Sequence, residues 1–143
     1  MTDRTIRMLR ELDARAQVTF EKLFASLDNE LGETQYIFFE GRRRLVVHEA
    51  YYAQGRDPLD VVNVYRQKAG LYLLRSEKDN YIITWTMQSK HLDGLAGDVL
   101  PVDGKGNPTW DLAHFRRQFE IIRDCGREVG LVCGADWSSP HTD

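Results

Sequence analysis

A chain of 143 residues is long enough to bury one core and too short for two ordinary domains, so one domain is expected over residues 1–143. With 42% hydrophobic and 29% charged residues and a formal net charge of -3, it reads as a soluble globular protein without the positive excess of a nucleic-acid binder. No apolar run approaches the ~18 residues of a membrane span, and the charged start of the chain does not resemble an export signal, so synthesis in the cytoplasm is expected.

From residue 3 to 31 the apolar side chains Ile6, Leu9, Leu12, Ala16, Phe20, Leu23, Phe24 and Leu27 recur at helical spacing. This predicts one long packing helix, or two with a break. Residues 36–39 form a short aromatic run that suits a strand ending at Gly41. Residues 45–54 look helical, whereas 57–79 fits no simple pattern and reads as an insertion. The run 81–86 is β-favouring and predicts a strand, and 96–101 predicts a second, shorter one closed by Pro101. A turn cluster over 103–108 leads into helical spacing from 111 to 129, with Gly130 as its stop. Residues 131–133 suggest a last strand. The sum is an α+β domain with a small antiparallel sheet and flanking helices.

Cys125 and Cys133 lie eight residues apart in a chain with no secretory mark, so free thiols are expected. Of the four histidines, His91 stands out. Asp98 follows it by seven residues across a glycine-marked bend, and Ser89 precedes it. Neutral imidazole nitrogen and carboxylate oxygen together suit zinc, whose catalytic sites use three protein ligands and leave one position for water. His48 and His114 have no such company, and Asp93 reads as a solvated loop acid.

The pattern of Ser89, His91, Gly94, Ala96 and Asp98, SxHxxGxAxD, resembles the zinc-ligand signature of the VanY-like and phage-endolysin peptidoglycan peptidases. Upstream, Glu40, Gly41 and the run Arg42, Arg43, Arg44, followed by Tyr51, Tyr52, Ala53, Gln54, Gly55 and Arg56, is similar to that family's G-x-R and L-Y-x-Q-G-R segment. Arg43 and Arg56 fall on its two arginines, and His48 stands where the segment usually has glutamine. Downstream, Gly130 through Trp137 resembles the family's Gly-Gly-Asp-Trp run, so the likeness covers residues 36–143, with 1–31 as N-terminal packing helices.

The resemblance implies a Hedgehog/DD-peptidase-like fold and a zinc peptidase, expected as a monomer, that cuts the stem peptide of bacterial peptidoglycan. His91 and Asp98 would be metal ligands, Arg43 would stabilise the oxyanion, Ser89 would contact substrate or support the ligand histidine, and Arg56 would contact substrate. The family continues into D-x-P-H-F, where the acid is the catalytic base and the histidine the third ligand. Here the chain reads Ser138, Ser139, Pro140, His141, Thr142, Asp143. Either His141 is the third ligand with Asp136 the nearest acid, or Asp143 is the base and the third ligand lies beyond it, the core then being truncated. The bond cut would be L-alanyl-D-glutamate, as in phage endolysins that reach the wall after release from the cell, or alternatively D-alanyl-D-alanine. A relative that kept the fold as a wall-binding or structural protein without catalysis is the other class.

Overall fold

Two N-terminal helices make the floor of the structure, and the sequence explains both their starts and the break between them. Helix α1 spans Asp3–Glu11 and α2 spans Ala14–Glu30 in the computed structural model, which describes residues 1–133. The Thr2 hydroxyl accepts the Thr5 amide at 3.3 Å and so caps α1. The Asp13 carboxylate accepts the Arg15 amide at 2.9 Å and caps α2. Ala16, Phe20, Leu23, Phe24 and Leu27 occupy one stripe of α2 and are all buried, as their spacing predicts.

Strand β1, Tyr36–Glu40, lies on that stripe and pairs antiparallel with β2, Asp98–Pro101. Tyr36 and Phe38 alternate inward. Phe38 stacks on Phe20 with ring centroids 5.8 Å apart and tilts against Phe24 at 4.9 Å, while Tyr36 stacks on Phe24 at 5.8 Å. Phe24, Phe38 and Leu27 are wholly excluded from solvent, and burial of each such side chain contributes roughly 1.5–3 kcal/mol. Helix α5, Arg116–Glu128, closes the core through Cys125, with Ile121, Ile122 and Val129 packed around it.

A second pair of helices, α3 (Leu45–Ala53) and α4 (Leu59–Lys68), packs together beside this layer. Arg44 ties them by donating to the Ala69 carbonyl at 3.0 Å, and Arg66 by donating to Gln54 Oε1 at 3.0 Å. The segment that resisted assignment is therefore α4 followed by a short 3-10 turn, Glu77–Asp79. Among the described residues the architecture is five α-helices and one two-stranded antiparallel sheet, a small α+β domain.

Three expected elements differ. Residues 81–86 form no strand, and side chains of α3 and its C-cap take up the carbonyls at the two ends of the run: Gln54 Nε2 donates to Tyr81 O at 3.2 Å, and His48 Nε2 to Thr86 O at 2.6 Å. Within the segment Thr84 is buried and Tyr81, Ile83 and Trp85 are exposed. Residues 131–133 likewise form no strand. The Leu131 amide bonds to Gly126 O at 2.9 Å, so it ends α5 instead of joining a ladder, and Val132 is 74% exposed. Helix α5 starts at Arg116 and not near residue 111, since the Asp111 carboxylate accepts the His114 amide at 3.2 Å and closes a separate turn first. Gly130 stops α5 as expected, with φ +91°.

Candidate metal centre

The turn that carries His91 is built from its own neighbours. Ser89, almost fully buried, accepts the His91 amide on its hydroxyl at 3.2 Å, and the Leu92 amide bonds to Ser89 O at 3.1 Å. Ser89 thus shapes the loop from inside the protein. Gly94 follows with φ +71°, and its carbonyl accepts the Asp13 amide at 3.0 Å. A Cβ at Gly94 would meet Asp13 N at 2.7 Å, so only glycine lets the loop lie on the α1–α2 break. The Arg43 amide bonds to His91 O at 2.9 Å and joins the loop to the segment after β1.

The His91 ring is fixed at its rear. Nδ1 lies 3.0 Å from Gly41 O, and a carbonyl can only accept, so Nδ1 carries the proton. In the neutral ring the lone pair is then on Nε2, which lies 3.8 Å from Asp98 Oδ1. Two ligands of a tetrahedral zinc with bonds of about 2.1 Å sit about 3.4 Å apart, so this pair is close to ligand spacing. The His91 residue is 7% exposed, while the Asp98 side chain is 40% exposed, leaving an open side toward solvent. The donor set fits a divalent metal: an imidazole oriented by a backbone carbonyl, and a carboxylate.

Glu40 completes the group, with one ligand atom from each of Glu40, His91 and Asp98 lying within 4.8 Å of one another. The sheet puts it there. The register shifts between Phe38 and Glu40, Phe39 becomes an extra residue, and Glu40 ends directly opposite Asp98. Two facing carboxylates repel unless cations stand near them. Arg43 supplies one cation: its Nε donates to Glu40 Oε1 at 2.7 Å and its Nη2 pairs with the same oxygen. Glu40 Oε1 also lies 3.5 Å from His91 Nδ1. Glu40 is therefore placed beside Asp98, in contact with both the ring and the arginine. Sequence spacing did not single it out, because its relation to Asp98 depends on strand register and a bulge.

Arg43 is anchored on several sides. Beyond Glu40, its Nη1 contacts His48 Nδ1 at 2.8 Å and its guanidinium lies 5.0 Å from the centre of the Tyr51 ring. Burial first, and then the Glu40 charge, push the Tyr51 phenol up, so the ring beneath Arg43 stays protonated. Arg56 sits elsewhere, at the end of α3, donating to Tyr52 O at 2.8 Å and stacking over the Tyr52 ring at 3.9 Å. Its described contacts do not bring it to the His91 group. His114 is exposed and bonded to Asp111 at 2.7 Å. Asp136, His141 and Asp143 lie outside the described residues.

A cleft of about 810 Å³ opens beside the group, lined by His91, Asp98, Trp110, Arg116, Phe119 and Arg123 among others. Trp110 is braced edge-on by the bulged Phe39, with centroids 5.9 Å apart. Cys133 also borders the cleft, and its thiol donates to Arg123 O at 3.5 Å. Among the described residues no helix is long and apolar enough to cross a membrane. Comparisons with protein-family models, curated proteins and solved structures find no match for this chain.

Proposed function

We propose that this protein is a zinc-dependent peptidase of the VanY-like and endolysin type, with a Hedgehog/DD-peptidase-like fold, acting on the stem peptide of bacterial peptidoglycan. The observation that carries the reading is the His91–Asp98 pair, with Nε2 turned to the carboxylate at 3.8 Å and Nδ1 held by Gly41 O. Zinc bound there would supply a Lewis acid and a water made acidic enough to attack an amide near neutral pH.

The chain's own residues take the remaining roles. His91 and Asp98 hold the ion, and Glu40 keeps the His91 ring and Arg43 in place. Arg43 offers a fixed cationic fork to the carbonyl oxygen as negative charge develops on it. The adjoining cleft, with Trp110 as one wall and Arg116 and Arg123 on its rim, suits a peptide that carries carboxylates. An acid from Asp136 or Asp143 would move the proton from water to the leaving amine, and His141 would be the third ligand if the chain itself provides it.

The test is digestion of purified peptidoglycan with and without added zinc, followed by mass spectrometry. Cleavage between L-alanine and D-glutamate is expected, whereas release of D-alanine would reassign the protein to the carboxypeptidase branch. Absence of any zinc-dependent product, with zinc bound, would leave a wall-binding relative without catalysis.

A further inference from the structure

His48 is wholly buried on α3, yet it belongs to no metal group among the described residues. Both of its ring nitrogens are engaged. Nε2 lies 2.6 Å from Thr86 O and Nδ1 lies 2.8 Å from Arg43 Nη1. The chemistry of the two partners fixes the ring. A carbonyl accepts only, so Nε2 carries the proton; a guanidinium donates only, so Nδ1 presents its lone pair. One tautomer, neutral with hydrogen on Nε2, satisfies both contacts at once.

We infer that His48 is a positioning residue for Arg43, transmitting the fixed Thr86 carbonyl to the orientation of the guanidinium. The catalytic consequence rests on the peptidase reading, but the hydrogen-bond chain does not. Arg43 is gripped from two sides, by Glu40 through Nε and Nη2 and by His48 through Nη1. These contacts take one N–H from each of its three nitrogens, leaving one on Nη1 and one on Nη2 for a further acceptor. Glu40 alone would let the fork pivot about its own axis; the second contact removes that freedom. A group that stabilises charge only in the transition state loses most of its effect when its direction is not fixed. The Thr86 contact also gives the 81–86 segment a function: it braces the histidine from behind.

Two measurements test this. The first is the ring nitrogen NMR spectrum of His48 in the intact protein near neutral pH, which needs no activity. A protonated Nε2 with an unprotonated Nδ1 is expected, and the opposite tautomer or a doubly protonated ring would overturn the inference. The second compares peptidoglycan hydrolysis by His48→Gln and His48→Leu with zinc loading confirmed in each. Glutamine can donate from its amide to Thr86 O and accept from Arg43 on Oε1, so kcat should stay within about threefold; leucine can do neither, and kcat should fall by about 10- to 100-fold with KM changed little. A folded His48→Leu enzyme with the original kcat, or a His48→Gln enzyme as impaired as the leucine variant, would refute the role. If the original protein binds zinc but cuts nothing, the peptidase reading fails and the tautomer still decides whether His48 holds Arg43.

Discussion

His91 Nδ1 is bound to Gly41 O at 3.0 Å, and this one contact decides which edge of the imidazole faces Asp98. A histidine free to flip would present either nitrogen and lose ordering entropy on binding a metal. Here the ring is set beforehand by a backbone carbonyl at the end of β1, so the lone pair on Nε2 is directed before any ion arrives.

Removing that lone pair should remove the metal. His91→Ala is expected to take zinc content from about one ion per chain to near zero, a loss of more than 100-fold in affinity, since a ligand matters more than the outer contacts that orient it. The fold should survive, because the loop is tied through the His91 carbonyl to the Arg43 amide and through its amide to Ser89, bonds an alanine keeps. Elemental analysis with circular dichroism checks both halves. Retained stoichiometric zinc would place the metal elsewhere.

Glu40→Gln separates a ligand from a supporting group. Glu40 lies on the Nδ1 side of His91 and is paired with Arg43, which predicts a 10- to 100-fold weakening of zinc binding, short of complete loss. Isothermal titration with zinc reads the difference. A defect as deep as that of His91→Ala would make Glu40 a direct ligand.

Much of this arrangement was legible in the sequence, and the parts that were not share a cause. The helical stripe of α2, the strand at Tyr36–Glu40, α3, the Asp103 turn and the Gly130 stop all rest on local periodicity or turn chemistry, and they form where expected. The His91–Asp98 pairing was legible because both residues sit within one loop and the strand it enters. Glu40 was not, since only the register shift beside Phe39 sets it against Asp98. The misassigned run 81–86 has true β-propensity, but its end carbonyls are claimed by His48 of α3 and by Gln54 at the α3 C-cap, a competition invisible to local pattern.

Gly94→Ala should destabilise the protein by about 2 kcal/mol or more, because φ +71° disfavours a side chain and the new Cβ would press on Asp13 N at 2.7 Å. The loop can relieve that contact only by lifting from the α1–α2 break, which also displaces His91. Chemical denaturation and zinc titration on the same variant should therefore both show a loss. Unchanged stability would mean that the loop does not rest on Asp13 in solution.

The same break makes a pH-dependent prediction. Asp13 caps α2, and the hydrogen bonds from the Arg15 side chain, then from the Arg15 amide, hold its carboxyl down at about 2. A carboxyl depressed in the folded state contributes stability that is fully present above its unfolded value of about 3.9 and is lost as pH falls through about 2. Asparagine keeps a capping oxygen but carries no charge, so Asp13→Asn isolates the ionic part. The variant should melt slightly below the original protein, by a constant margin from pH 7 to 5, and the margin should shrink from about pH 4 and be largely lost as pH falls through about 2. Added salt should narrow it further, since the pair faces solvent. Thermal melts across that range check the sign; a margin that persists unchanged at pH 2 would mean that the charge on Asp13 contributes nothing and that its capping geometry alone matters.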